Sequence, residues 1–389
     1  MRVLFTTWAW PSHLYALVPL AWAMRAAGHD VLVAGQPELL DEITATGLPG
    51  VAVGADVDAV ELVRGYVLPS DGDQGGQAPR TGKAPRAMTM FLAHAEAMTG
   101  DLIDLCRTWR PDLIVYEPTT LAGPIAAAAI GVPAVRHLYG TDLMLRAREI
   151  LGDLLAPLAA RYGVTSVQPF GALTVDPTPP SLQVPYDDRI AVRHLAFCGS
   201  GPARPALPPR GDRRRVCVTW GHTMAKLDPA RFLAPTVVRA LAGEPDLELV
   251  VAVSARQRPL LGAVADGVTV LVDASLDEVL PGCELVVAHG GAATVLTALR
   301  HGVPMLLIPQ LPDHTGHAAR VLAAGAGDVL TRDQASAETI VKETRRLLSD
   351  ESVRARARAF AEEMLRTPAP AQIVERLVAL SAGTPIGKS

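Results

Sequence analysis

A chain of 389 residues is long enough for two domains of ordinary size. Hydrophobic residues at 49% and charged residues at 20% exclude a disordered chain. A net charge of -4 at pH 7 leaves no basic excess for nucleic acid and no polybasic patch for a membrane surface.

The N-terminal segment MRVLFTTWAWPSH is too short an apolar run for a signal peptide and is soon broken by Pro11. The longest apolar stretch, LAGPIAAAAIGVPAV from Leu121, falls short of a membrane span and carries Gly and Pro. The expectation is a cytoplasmic protein. Cys106, Cys198, Cys217 and Cys283 are widely spaced, with no C-x-x-C pair and no zinc spacing, so they read as free thiols in a reducing compartment.

RVLFTT opens as a strand. After the turn WAWPSH, Leu14, Leu17, Val18, Leu20, Ala21 and Met24 recur at helical spacing, with Pro19 read as lying early in the helix and Gly28 at its C-terminal end. DVLVAG follows as a second strand. Strand, helix, strand implies a parallel sheet. PDLIVY, a helix over TLAGPIAAAAIG, and VPAVRHL continue the alternation. Before PDLIVY, the polar stretch Pro69 to Arg86, rich in Gly and Pro, reads as a mobile loop or lid.

Near Gly199 the pattern stops in a segment dense in Gly, Pro and Arg, and at Val216 it resumes. The expected organisation is a Rossmann-like domain over 1–203, a linker over 204–215 and a second Rossmann-like domain over 216–366. A last helix over 370–382 packs back on the first domain. The fold class is α/β, two doubly wound domains facing each other across a cleft.

A nucleotide-binding turn after the first strand is normally glycine-rich so that backbone approaches pyrophosphate. Here that turn, TTWAWPSH, has no glycine. The junction VVAHGGAAT, Val286 to Thr294, is different: Gly290 and Gly291 break an apolar strand, and small residues open a helix. Free N–H groups around Gly291, Ala292 and Ala293 then form an anion site, with Thr294 and His289 as side-chain donors. The plainer alternative is a His-Gly-Gly turn that merely joins strand to helix.

HGGAATVLTALRHGVPMLLIPQLPDHTGHAARV, His289 to Val321, resembles the donor signature of family 1 glycosyltransferases with the GT-B fold, above all the bacterial enzymes that attach deoxysugars to polyketide and macrolide antibiotics. The opening segment PSHLYALVPLAWAMRAAGHDV is similar to that family's His followed by an apolar, Pro-containing helix. The resemblance implies a donor diphosphate on His289, Gly291, Ala292, Ala293 and Thr294, and the nucleoside on Asp273, Ala274, Ser275 and Leu276. It implies a carboxylate, Asp313, on the sugar hydroxyls, and Gly221, His222 and Thr223 near the phosphates. Ala293, His314 and His317 depart from the family's usual glycine, glutamine and asparagine; Ala293 still exposes its N–H, and His314 leaves the sugar open.

His13 follows the first strand, where ligands bind in open α/β sheets, and a histidine is suited to take a proton near neutral pH. In the resembled family the corresponding His is the catalytic base. Glu117 and Asp142 are rival candidates for the carboxylate that orients it. Trp8, Trp10 and Tyr15, with Met88, Met90 and Phe91, would wall an apolar acceptor pocket, or else pack the core.

The implied activity is inverting, metal-independent transfer of a (deoxy)sugar from dTDP- or UDP-sugar to a hydrophobic acceptor, with no other cofactor. A sugar-nucleotide epimerase, a cell-wall glycosyltransferase and a non-catalytic nucleotide-sugar-binding protein are the alternatives. A homodimer is compatible with the sequence.

Overall fold

The computed structural model describes residues 1–67, 83–197, 199, 207, 209 and 211–383. Cys198, most of the expected loop and part of the expected linker lie outside the described residues. The chain divides into two compact units, each built on its own parallel sheet.

Among the described residues, the first unit comprises Met1–Asp176, Tyr186–Val192 and the chain from Pro368 on. Its strands are β1 (Arg2–Thr6), β2 (Asp30–Gly35), β3 (Gly50–Ala52), β4 (Leu113–Tyr116), β5 (Ala134–His137), β6 (Leu173–Asp176) and β7 (Arg189–Ala191). They lie in the order β3-β2-β1-β4-β5-β6-β7, every neighbouring pair parallel. Val3, Leu4, Phe5 and all of β4 are buried, because helices cover both faces of a parallel sheet.

The helix Pro11–Ala26 buries Leu14, Leu17, Val18, Leu20, Ala21 and Met24, the stripe read from the sequence. It ends at Gly28, whose φ of 87° suits glycine. It starts earlier than its apolar stripe, with Trp10 as N-cap and Pro11 at the first position, where a missing N–H is tolerated. His13 lies within the first helical turn, not before the helix, and Pro19 sits in mid-helix rather than near its start.

The second unit comprises Pro177–Pro185 and Arg193–Thr367. Its strands are β8 (Arg214–Thr219), β9 (Leu247–Val253), β10 (Thr269–Val272), β11 (Leu285–Ala288), β12 (Met305–Leu307) and β13 (Gly327–Val329). Their order is β10-β9-β8-β11-β12-β13, again parallel. Val250, Val286, Ala288, Val295, Leu299, Met305 and Leu307 lie at the centre of its core.

The unit boundaries differ from the single linker read at 204–215. The segment 177–185 is held by the second unit, where Arg320 donates to the Leu182 and Gln183 carbonyls at 2.6 and 2.9 Å. The helix Pro370–Ser381 packs on the helix Pro11–Ala26. Helices Lys83–Trp109, Arg148–Ala160 and Ala337–Ser349 go beyond the sequence reading, and the first takes in the last residues of the expected loop. No helix among the described residues is long and apolar enough to cross a membrane. Cys106 and Cys217 are buried and free, and Cys283 is free and half-buried.

Candidate active site

In the first sheet the strand order turns around between β1 and β4: β2 and β3 lie beyond β1, and β5 to β7 lie beyond β4. Loops leaving two such strands diverge, and the crevice between them is where open α/β sheets bind ligands. Thr6 pairs with Tyr116, so the loop to His13 and the loop through Glu117 start side by side.

His13 Nδ1 lies 3.2 Å from Glu117 Oε2. Glu117 is fully buried, and 12% of the His13 side chain is exposed. Burial by itself raises the Glu117 pKa. The His13 charge and hydrogen bonds from His13, Thr120 and the Thr119 N–H outweigh it, so the carboxyl is held below its ordinary value. An ionised Glu117 accepts from Nδ1–H. In the neutral ring that places the lone pair on Nε2. Tyr139 stacks on the ring, with centroids 4.2 Å apart at 25°, and Trp8 meets it edge-on at 5.2 Å.

Asp142, the rival carboxylate, has another task. It forms a bidentate pair with buried Arg136 at 3.1 and 2.6 Å, with Arg189 4.0 Å away. The reason is position: Arg136 belongs to β5, so the carboxylate neutralises a cation that the sheet itself buries.

The expected aromatic wall is also revised. Trp8 is 2% exposed, and its indole N–H donates to Thr119 Oγ1 at 2.8 Å. Trp10 is buried against it, with centroids 5.3 Å apart. Tyr15 lies roughly 200° around the helix from His13 and donates to Glu42 Oε2 at 2.8 Å, so it belongs to the opposite face. Met88 and Phe91 are half-buried against the cluster of Leu121, Ile125, Met144 and Leu151, while Met90 is buried.

Four residues near His13 escape the sequence reading: Tyr139, His94, Thr119 and Thr120. His94 packs tilted against Trp8, with centroids 4.4 Å apart at 39°, and is hydrogen-bonded through Nδ1 to Gln36 Oε1 at 2.8 Å. Gln36 Oε1 also accepts from the Ala9 N–H, so His94 Nδ1 is the donor. Burial pushes the His94 pKa down to about 4, and its buried Nε2 has no hydrogen-bond partner among the described residues. Its helical spacing is that of a core position, which is why no sequence signal separates it from one.

The second sheet turns around between β8 and β11, and Gly221 and His289 follow those strands. The Gly221 N–H donates to His289 Nδ1 at 3.0 Å. Accepting there, the neutral imidazole carries its proton on Nε2, the tautomer a donor to phosphate needs. A Cβ on Gly221 or on Gly291 would lie 2.4 Å from that Nε2. Gly290 is glycine for a different reason: its φ is 89°. The three glycines thus divide two tasks, one turning the chain and two making room for the ring.

Gly291 is the N-cap of the helix Ala292–Arg300, whose start has no side-chain cap. The first intrahelical bond runs from the Val295 N–H to the Gly291 carbonyl, so the N–H groups of Ala292, Ala293 and Thr294 precede it. Ala292 is half-buried, Ala293 exposed and Thr294 buried. A helix start of this kind is suited to bind an anion.

His314 meets the His289 ring edge-on at 4.6 Å, and its Nε2 is 3.9 Å from Asp313 Oδ2. His317 Nδ1 donates to the Gly290 carbonyl at 3.2 Å, buttressing the turn. Asp273 stands at the end of β10 with φ 53°, its Oδ1 accepting from the Ala255 N–H, and Ser275 is the N-cap of the short helix Leu276–Val279, with Ala274 between them. Gly221 is the N-cap of the helix His222–Leu227, which places Thr223 in its first turn. Buried Gln257 was not anticipated: its amide donates to the Trp220 and Gly221 carbonyls at 2.8 and 3.0 Å and fixes that turn.

Two doubly wound units, each on its own parallel sheet, are the architecture of GT-B glycosyltransferases. Residues 22–221 match the family described as erythromycin biosynthesis protein CIII-like, N-terminal domain, and residues 236–380 its C-terminal domain. The chain belongs to this family of antibiotic and polyketide glycosyltransferases.

It is 32% identical to the 3-alpha-mycarosylerythronolide B desosaminyl transferase of Saccharopolyspora erythraea, over 98% of this chain and 99% of that one. It is 37% identical to the L-demethylnoviosyl transferase of Streptomyces niveus, over 97% and 98%. The spinosyn rhamnosyltransferase SpnG complexed with thymidine diphosphate superposes with a TM-score of 0.83 at 30% identity, covering 97% of this chain and all (100%) of the other. These relatives are named as transferases and align with this chain over nearly their whole length, which supports an enzyme over a non-catalytic binding protein.

Proposed function

We propose that this glycosyltransferase moves a deoxysugar from a TDP-sugar to a hydroxyl of a hydrophobic polyketide or macrolide aglycone. The reaction inverts the anomeric carbon, with His13 as base and no metal or further cofactor. The observation that carries the reading is the buried Glu117 on His13 Nδ1, which leaves Nε2 as the basic nitrogen. Desosaminyl and rhamnosyl transferases among the relatives, and a relative solved with thymidine diphosphate, support the sugar and nucleotide class.

The chemistry is one displacement. The acceptor oxygen attacks the anomeric carbon and its proton passes to His13 Nε2. The bond from that carbon to the diphosphate breaks, and its electron pair leaves with the diphosphate. Glu117 stays ionised and stabilises the imidazolium. The charge growing on the diphosphate is met by the Ala292, Ala293 and Thr294 N–H groups and by His289 Nε2–H. The helix dipole adds about 0.3–1 kcal/mol where exposed. Asp313 and His314 hold sugar hydroxyls, Asp273 to Leu276 the nucleoside, and Met88 and Phe91 contact the apolar acceptor.

Incubation with TDP-deoxysugars and a panel of macrolide and anthracycline aglycones tests this, with the product anomer read by NMR. Inversion is expected, undiminished by EDTA, and His13→Ala lowers kcat by about 10²–10⁴-fold at unchanged TDP affinity. Retention of configuration, or wild-type kcat in His13→Ala, overturns the mechanism.

A further inference from the structure

Glu117 is a long carboxylate in a fully buried place, and what holds it decides where His13 points. The chain supplies an unusual support. Glu117, Pro118, Thr119 and Thr120 form a tight turn closed by the Thr120 N–H on the Glu117 carbonyl at 3.0 Å. Both threonine hydroxyls fold back onto the carboxylate: Thr119 Oγ1 lies 2.8 and 2.7 Å from Oε1 and Oε2, and Thr120 Oγ1 hydrogen-bonds Oε1. The Thr119 N–H adds a bond to Oε2 at 2.9 Å.

A hydroxyl rotates freely unless something fixes it, and here one residue fixes both. The Trp8 indole N–H donates to Thr119 Oγ1 at 2.8 Å, and the Trp8 backbone N–H donates to Thr120 Oγ1 at 3.1 Å. Each oxygen, having accepted from Trp8, turns its own proton toward Glu117. Trp8 is itself packed against Trp10 and His94.

We infer that Trp8, Thr119 and Thr120 are positioning residues for the His13–Glu117 pair, a relay of donors that saturates the carboxylate and locks the proton of His13 on Nδ1. The inference rests on the reading of His13 as the base. It reassigns Trp8 from the acceptor wall to the support of the base. Saturation also explains why Glu117 does not take the proton from the imidazolium: with Thr120 on Oε1, Thr119 across both oxygens and His13 on Oε2, a protonated carboxyl would confront donors at every lone pair.

The tautomer of His13 is the readout that packing alone does not move. Nitrogen-15 NMR of histidine-labelled protein at pH 8, assigned with His13→Gln, is expected to show the proton on Nδ1 with a strongly downfield signal. Thr119→Val keeps the shape and removes the hydroxyl. There the signal moves upfield, the Nε2–H form becomes populated, and the Glu117 carboxyl titrates at higher pH, while Thr119→Ser restores all three. Trp8→Phe, which breaks the relay at its other end, shifts the signal in the same direction and serves if Thr119→Val does not fold.

Wild-type tautomer in both Thr119→Val and Trp8→Phe overturns the inference. So does a Thr119→Ser protein as altered as Thr119→Val, which would assign the effect to the methyl group. An unresponsive tautomer beside an inactive His13→Ala removes only the relay. Full turnover in His13→Ala removes the base reading instead.

Discussion

Single atoms decide the donor turn. A methyl group on Gly221 would stand 2.4 Å from His289 Nε2 and 2.7 Å from Cε1, so the ring must swing off the hydrogen bond from the Gly221 N–H that fixes its tautomer. Gly290 carries no such steric load from His289; its φ of 89° is the constraint. The two glycines therefore fail differently. Gly221→Ala is expected to weaken TDP binding by tenfold or more with little change in unfolding temperature. Gly290→Ala is expected to destabilise the fold by about 1–2 kcal/mol, the strain of a left-handed non-glycine residue. Calorimetric titration with TDP and thermal unfolding of both variants separate the effects; identical behaviour would mean that ring placement and backbone strain are not distinct causes.

At the level of elements, the start of the helix Ala292–Arg300 is the donor feature most open to a clean test. Proline at the first helical position keeps the helix and deletes one N–H, and Gly291, at φ -66° and ψ 145°, already has the extended backbone that a residue before proline requires. Ala292→Pro is therefore expected to fold with unchanged thermal stability and to lose several-fold in TDP affinity. Equal affinity would show that the Ala292 N–H takes no part.

Element by element, legibility follows from pattern strength. Strand β2 matches the run DVLVAG residue for residue, because a strand buried on both faces writes itself as a mostly apolar sequence. β3, β7 and β13 have three residues each, too few to carry a period, and go unread. The helix Lys83–Trp109 is masked by the Gly/Pro-rich stretch before it. His13 and His289 are legible because they punctuate strand-to-helix junctions. The choice of Glu117 over Asp142 is not, since it depends on Arg136, a cation whose burial no local pattern reveals. Trp8 looks like a wall residue in sequence, and only the Thr119 hydroxyl shows which way its N–H faces.

For the molecule as a whole, acid is the expected weakness, and buried histidines carry it in both units, since burial also lowers the pKa of His314 and His317 in the second. Burial lowers the pKa of His94 and of His137 from 6.5 to about 4, the latter only partly offset by its bond to the Leu138 carbonyl. The unfolded chain binds a proton on each as pH falls through 6.5, and the folded chain does so only near 4. Folding stability is therefore level above pH 7 and falls between 6.5 and 4, by up to about 3 kcal/mol for each group. Glu117, held below its ordinary 4.5, adds a loss at still lower pH. Scanning calorimetry from pH 8 to pH 4 measures this; a midpoint that does not fall across that window would show that these imidazoles are not buried neutral.

The path of the chain carries a practical consequence for recombination. The backbone leaves the first unit after Asp176, returns at Tyr186, leaves again after Val192 and comes home at Pro368. A hybrid that borrows its nucleotide half from another member of the family, spliced at a single point near residue 200, would inherit a foreign terminal helix on the host's helix Pro11–Ala26 and leave the host's 177–185 segment without its own Arg320. Working hybrids should graft the segments 177–185 and 193–367 together and retain the host's tail.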